Sequence, residues 1–404
     1  MDPEHDYTMS GYNLNHGWTL WTIAEHYMFT RDRDWLRVRL PKVVKAAGWI
    51  VSERRRTMHT DEDGHKVWEY GLLPPGQLED NEEWQYWFAV NAYAYRGLRA
   101  ASEAIADLDP STGRRLGAEA DRYRGDIRSA AFRSMAATPV APLRDGTWVP
   151  VIATRTHLHG RDVGWIRNIL YGAQVLADCG VFSPDEPVTG WILHDLEDNL
   201  FMASDSFSVP GQDWFSRGGI TLQPNLVNMF TLYLDRDEIP QALRAFYNTF
   251  AVSYYPDVNM FTEWVPSFGK SGGPFFKTSD EAAFLTFLRQ MLVHEQGAKL
   301  YIAFGAPRQW FRPGQRIEFD GAPTYFGKIS LNIDSHSDQG HIDATVEVPD
   351  AFRGTEILLR FGHPDRKLIA RVEIDGQSWT RFDGSRGIIS LPLTPGTKRV
   401  TAYY

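Results

Sequence analysis

At about residue 297 the chain changes the period of its hydrophobic pattern, and no other feature limits its folding as strongly. Ahead of that point apolar residues recur at i, i+3, i+4 and i+7; in GWTLWTIAEHYMF (17–29) this places Leu20, Ile23, Ala24 and Tyr27 on one face. Beyond it come KLYIAFG, QRIEFDG, YFGKISLNIDS, GHIDATVEVP, TEILLRFG, KLIARVEIDG, GIISLPL and KRVTAYY, short segments of alternating character separated by Gly, Pro and Asp turns. A helix-period pattern cannot lie in a sheet without turning half its apolar groups to water. The chain therefore divides into a helical domain at 1–296 and an antiparallel β-sandwich at 297–404.

Within the first part the helical stretches are 17–29, 32–56, 81–108, 112–137, 162–180, 186–202, 223–235, 238–254 and 279–295, with a β-like insert at TWVPVIAT (147–154). The stretch 32–56 opens on an Asp cap and resumes after Pro41. Segments such as 81–101 are rich in aromatic and small residues, whereas segments such as 114–134 are amphipathic with Arg and Glu. Inner and outer helices alternating in this way predict an α/α toroid with long loops gathered at one end. A closed toroid has six hairpins; these nine helices leave it incomplete, which predicts one or more N-terminal hairpins absent or supplied by another chain.

Charge and composition exclude several classes of function. The formal net charge is −9 without a Lys/Arg-rich block, which argues against a nucleic-acid groove. No run of about 18 apolar residues occurs to span a membrane. The N-terminus MDPEHDYTMSGYNLNHGW has neither the basic nor the apolar region of a signal peptide, so the expected location is cytoplasmic, or outside the cytoplasm if a leader precedes this segment. The single cysteine, Cys179, allows no internal disulfide. There is no phosphate loop, no G-x-S-x-G elbow and no cysteine-based site, and no cofactor or metal is expected. The HLH at 157–159 has the look of a metal pair but lacks a third ligand at useful spacing and reads as a solvated loop. Aromatic residues make up 13% of the chain, a hint of sugar binding, because rings stack on the apolar faces of saccharides.

Three loops are candidates for chemistry. YNLNHGW (12–18) brings Asn15, His16 and Trp18 to the first helix; the alternative is Asn15 as a cap and His16 as structural. EYGLLPPGQLEDNEEWQYW (69–87) has a rigid Gly71, Pro74, Pro75, Gly76 loop that delivers Glu79 and Asp80 beside Trp84 and Trp87; the alternative is Asp80 as a helix cap, with Glu82 and Glu83 set against the macrodipole. NMFTEWVPSFG (259–269) holds Glu263 between Phe261 and Trp264. Its upstream neighbour DWFSRGGITLQPN (213–225) adds Trp214, Arg217, Gln223 and Asn225, and Lys270 and Lys277 follow. The alternative for Glu263 is an ion pair with Arg217 or Lys277. Glycoside hydrolysis needs one protonated and one ionised carboxyl on opposite sides of the scissile bond, and rings raise a carboxyl's pKa while cations lower it.

NHGWTLWTIAEHYMFTRDRDWL (15–36), NMFTEWVP (259–266) and the switch to strands at LYIAFGAPRQWFRPGQRIEF (300–319) together resemble the six-hairpin glycosidases, especially the α-L-rhamnosidase-like hydrolases and neighbouring fucosidase-type families. The resemblance implies an inverting, exo-acting hydrolase of plant or microbial oligo- or polysaccharide, with Glu263 as the general base. The family's general acid sits in an earlier hairpin, and no matching motif is present. Either Asp80 or Glu79 takes its place, or the acid lies on a missing part. The other readings are a polysaccharide lyase on a similar toroid, with His16 or Tyr70 abstracting a proton while Arg217 and Lys277 neutralise a uronate, and a non-catalytic carbohydrate-binding toroid.

Overall fold

The computed structural model describes residues 13–78, 81–162, 166–200, 229–267, 270–272 and 278–404. Two compact units emerge. One comprises Met1–Arg236 with Arg244–Ala283, the other Asp237–Leu243 with Phe284–Tyr404. The second unit thus draws in residues on the N-terminal side of the composition switch. The Asp237 carboxylate explains part of this, for it is held by Arg360 at 2.6 Å and Arg386 at 2.7 Å within that unit.

The first unit is built on helices α1 (Asn15–Thr30), α2 (Arg33–Arg54), α3 (Phe88–Ala106), α4 (Pro110–Ala136), α5 (Gln174–Asp178), α6 (Pro187–Asp195) and α7 (Met229–Asp235). Helices α8 (Ile239–Ser253) and α9 (Thr278–Leu292) follow and run across the division between the units. The Asp32 side chain caps α2 by accepting from the Trp35 amide at 2.8 Å. Asp109 does the same for α4, whose first residue is Pro110. Pro41 does not interrupt α2. It lies exposed, so water can reach the carbonyl it frees, while Leu36, Val43 and Ala47 hold the helix down on either side.

Helices α1 and α3 run parallel and touch through their backbones. A Cβ on Gly17 would stand 2.2 Å from the Tyr93 carbonyl, and one on Gly97 would stand 2.3 Å from the Gly17 oxygen. Only glycine at both positions allows this approach. Around the crossing, Trp18 meets the Tyr93 ring edge-on at 5.4 Å, and at the far end the Tyr27 hydroxyl donates to Asp107 at 2.8 Å. Helix α4 returns antiparallel along α3, with Gly113 against the backbone of Ala106. The α3–α4 hairpin thus sets a helix rich in aromatic and small residues beside one rich in Arg.

The structure departs from the sequence reading at three helices. Residues 81–85 form a strand, not the start of a helix. β1 (Gly76–Leu78) pairs with β2 (Asn81–Gln85), and α3 begins only at Phe88, with Trp87 at its boundary. Among the described residues the expected helix 162–180 survives as α5, preceded by a π-type turn at Ile166–Leu170. A Cβ on Gly172 would stand 2.1 Å from the Asn168 carbonyl, so the bend between the two needs glycine there. The stretch 279–295 ends as helix at Leu292, because Val293–Gln296 folds back on the following strand through Gly297, whose φ is +59°. Short hairpins complete the unit: β3 (Ala141–Pro142) with β4 (Trp148–Val149), β5 (Tyr254–Tyr255) with β6 (Met260–Phe261), and β7 (Trp264–Ser267) with β8 (Lys270–Gly272).

In the second unit β9 (Val293–Gln296) falls in a stretch read as helix, whereas β10 (Lys299–Ile302), β11 (Arg316–Thr324), β12 (Gly327–His336), β13 (His341–Val348), β14 (Glu356–Arg360) and β15 (Arg371–Ile374) lie in segments the alternation marks. The short β16 (Gln377–Trp379) and β17 (Phe382–Asp383) lie outside those segments, and β18 (Ile388–Ser390) and β19 (Gly396–Tyr403) again within them. They form a sheet ordered β17-β18-β14-β10-β9 and another ordered β11-β12-β13-β19-β15-β16. Leu300, Ile302, Ile357 and Leu359 from the first share one core with Ile329, Ile333, Ile342, Val346 and Val400 from the second, a sandwich arrangement. The pattern predicts antiparallel pairing throughout, but β10 and β14 run parallel. Alternation marks a strand's buried face and is blind to its direction.

Asp178, at the end of α5, carries a carboxyl pushed up to about 7 by burial, with Arg96 opposing and Asp235 adding to the push. By surface it is only half-buried, yet protein crowds the carboxyl itself. A carboxyl raised in the folded state stabilises fully below its unfolded pKa, and that contribution is lost as pH rises through the folded value. Wild type should therefore lose stability relative to Asp178→Asn between about pH 4 and pH 7, measured as urea midpoints across that range; parallel curves would refute the raised carboxyl. Gly17→Ala should destabilise by about 2 kcal/mol or more. Gly48→Ala, in α2 with open space at its Cβ position, should stabilise by about 0.5–1 kcal/mol in the same assay.

Candidate functional site

The loop after α2 is anchored from below. Arg54 is fully buried, and its guanidinium lies 4.1 Å over the Tyr123 ring. It donates to the Gly71 carbonyl at 2.8 Å and to Asp126 at 2.7 Å. The Thr57 hydroxyl donates to the Leu72 carbonyl at 2.6 Å, and the buried Asn91 accepts from the Leu73 amide at 2.8 Å and from the Tyr123 hydroxyl at 2.7 Å. Gly71 has a φ of +74°, and any Cβ there would meet the Asp126 carboxylate at 2.3 Å. Three helices thus fix residues 71–73, and with them the preceding Trp68, Glu69 and Tyr70.

A second segment arrives from far along the chain. The Phe88 amide donates to the Thr154 carbonyl at 2.9 Å and the Thr156 amide to the Tyr86 carbonyl at 3.4 Å, so 154–156 runs beside 86–88. The chain then turns at His157, whose φ of +58° is left-handed. There the imidazole stacks on Trp68 at 5.0 Å and 8°, and its Nε2 lies 2.9 Å from the Glu69 carboxylate. His159 and Tyr86 stand close by, and Arg133 covers the Trp68 ring. Burial, with Glu69 adding to it, raises the Tyr86 phenol above its usual range. On β2, which leads into Tyr86, Trp84 is 52% exposed and Glu83 pairs with Arg167 at 2.7 Å.

A carboxylate held by an imidazole is a directed acceptor, and flat rings around it offer stacking surfaces. Together they suit a ligand with hydroxyls on its edge and C–H groups on its face. Sequence reasoning flagged the loop 69–87 and the HLH separately but joined neither to the other. The HLH, read from sequence as a solvated loop, is part of this cluster through His157. The signal was present: Trp68-Glu69-Tyr70 repeats the acid-between-rings pattern that drew attention to Phe261-Thr262-Glu263-Trp264.

The other candidates fall as follows. Asn15 is the first residue of α1, and its amide donates to Asn13 Oδ1 at 2.9 Å, so the capping side chain is Asn13. His16 stacks on Trp49 of α2 at 4.2 Å and 15°; burial lowers its pKa, against the Asn13 hydrogen bond and Glu53. Trp18 packs on Tyr93. Lys66 sits 3.9 Å over the Tyr70 ring. Glu263 is half-buried at the junction of the β5–β6 and β7–β8 hairpins, just after the buried Thr262, whose amide donates to the Ser253 carbonyl at 2.9 Å. Trp264 opens β7. Glu79, Asp80, Trp214, Arg217, Gln223, Asn225 and Lys277 lie outside the described residues.

A separate cleft is lined by Thr154, Arg161, Asp162, Asn168, Gln174 and Asp195. Each of its acids is matched: Asp162 with Arg155 at 3.3 Å, Asp195 with Arg161 at 2.8 Å. The cleft encloses ≈ 20 Å³, room for about one water molecule, and is too small for a sugar ring.

No family model matches the chain, and no curated relative matches it. Among solved structures, it is similar to a glycoside hydrolase at 10% identity over 97% of this chain and 72% of that one, with a TM-score of 0.40. It is also similar to a GH127 β-arabinofuranosidase at 10% identity over 97% and 70% of the two chains, TM-score 0.33. The third is a sialidase at 11% identity, covering 95% of this chain and 32% of that one, TM-score 0.41.

The anchor makes a measurable demand. Arg54→Met leaves Asp126 and the Gly71 carbonyl without their donor and should destabilise by about 3–5 kcal/mol, with faster amide exchange at 71–73. Lys66→Ala, removing an exposed partner of the same Asp126, should change stability by under about 1 kcal/mol.

Proposed function

We propose that the protein is a glycoside hydrolase. The observation that carries the reading is the cluster of Trp68, Glu69, Tyr86 and His157, a half-buried carboxylate among flat rings with the exposed Trp84 on the adjoining strand. In this reading the helical hairpins curl into an α/α toroid, and their loops form the rim of a saccharide site.

The finer assignment keeps Glu263 as general base and takes Asp80 or Glu79 as general acid. The acid gives its proton to the glycosidic oxygen as that bond breaks. The base removes a proton from a water that bonds to the anomeric carbon on the opposite face, and configuration inverts. Inversion requires the two carboxyls about 6.5–9.5 Å apart, to leave room for that water. Glu69, oriented by His157, receives sugar hydroxyls, and Trp68 and Trp84 stack against sugar faces. The substrate class is a plant or microbial oligo- or polysaccharide cut from its end, with an α-L-rhamnoside as the first sugar to try.

The test is a panel of 4-nitrophenyl glycosides with α-L-rhamnoside among them, the anomer of the released sugar being followed by NMR. Glu263→Gln should lower kcat by about 10²–10⁴-fold with the sugar still bound, and Trp84→Ala should mainly raise KM. Unchanged turnover in Glu263→Gln would remove that residue from the chemistry. An ultraviolet-absorbing unsaturated product from a uronate polymer would replace hydrolysis with elimination, and saccharide binding without turnover of any substrate would make the site a binding module.

A further inference from the structure

On one face of the six-stranded sheet, three side chains converge with the geometry of metal ligands. β12, β13 and β19 pair in an antiparallel ladder whose register sets His336 opposite His341, Asp343 opposite Thr401 and His341 opposite Tyr403. Directly opposed residues project to the same face, as do residues two apart on one strand, so His336, His341 and Asp343 share a side. Their ligand atoms all lie within 4.8 Å of one another. His341 Nε2 is 3.4 Å from Asp343 Oδ2, and His336 Nε2 is 3.9 Å from the same oxygen.

We propose that His336, His341 and Asp343 bind one Zn²⁺ ion, with water at the remaining position. Bonds of about 2.0–2.1 Å in a tetrahedral site separate neighbouring ligand atoms by roughly 3.3 Å, and the 3.4 Å pair already stands at that spacing. Two imidazoles with one carboxylate suit zinc or a similar transition ion better than calcium or magnesium, which favour oxygen alone.

Simple ion pairing accounts less well for the arrangement. Both imidazole nitrogens point at one carboxylate oxygen, and the rings are stacked at 5.0 Å and 29°. Protonating both would press two cations together, whereas a divalent ion takes both rings neutral. The carboxylate is also aimed, for its other oxygen, Oδ1, accepts from the Thr401 hydroxyl at 2.6 Å. A tight turn joins the two histidine strands, with a 3₁₀ turn at Ser337–Gln339 and Gly340 at φ +83°. Half-exposed, the three groups are open to an ion from solution.

One other cluster among the described residues has comparable chemistry, Asp61, Asp63 and His65. All three are exposed on one loop, where Asp61 Oδ1 already accepts the His65 and Asp63 amides at 2.8 and 3.1 Å. That is a turn holding itself together, and it serves as the control.

The experiment uses untagged full-length protein freed of metal by a chelator, titrated with Zn²⁺ by calorimetry and with Co²⁺ as a spectroscopic probe. One equivalent should bind, Co²⁺ should show the intense visible absorption of a tetrahedral N/O site, and Zn²⁺ should raise Tm. His336→Ala/His341→Ala should abolish stoichiometric binding with an unchanged circular dichroism spectrum. Thr401→Val should weaken binding by about 10–100-fold, and Asp61→Ala/Asp63→Ala should leave it intact. Absence of stoichiometric binding, binding that survives the double histidine variant, or binding lost in the Asp61 variant would each overturn the site.

Discussion

A guanidinium with no access to water organises the helical unit. Burying Arg54 carries a large desolvation cost, offset only because its donors are met in several directions: the Gly71 carbonyl, the Asp126 carboxylate and the Tyr123 ring beneath it. Those partners come from α4 and from the loop, with Asn91 of α3 tied in through the Tyr123 hydroxyl. A loop that would otherwise be a mobile connector becomes an extension of three helices. Trp68 and Glu69 inherit that rigidity, and a binding group needs such backing if its geometry is to be set before the ligand arrives.

The same economy appears at the α1–α3 crossing. With glycine on both sides, two parallel helices meet backbone to backbone, and the flanking rings of Trp18 and Tyr93 interlock. Close-packed interiors cannot yield to an added methyl group there. Rigidity in the helices is what lets the segment 154–156, arriving after α4, register against 86–88 and set His157 beside Glu69. The cluster around Glu69 is thus a consequence of packing beneath it, although its own residues lie on loops.

The second unit follows a different logic. Its stability comes from alternating Leu, Ile and Val positions that two sheets bury between them, so the outward faces are free to vary. On one such face the ladder register lines up two histidines and an aspartate with a threonine behind them. A sheet is well suited to this, since spacing across strands is set by backbone hydrogen bonds and not by the side chains themselves.

The sequence by itself determined the change from helices to strands, the location of the longer strands of the second unit and the Asp32 cap. All of these rest on local periodicity and capping chemistry, which a chain carries residue by residue. It misjudged 81–85, where β1 offers a partner that helix propensity cannot see, and the parallel β10–β14 pair, because alternation has no direction. It singled out Glu263 between rings and did not weigh Trp68-Glu69-Tyr70, which also sets an acid between rings. Only the tertiary structure could bring His157 to Glu69 across 88 positions, because that contact depends on a buried arginine, a left-handed turn and two segments in register. Interactions between distant parts of a chain leave no periodic trace in it; they exist only once the backbone has closed the distance.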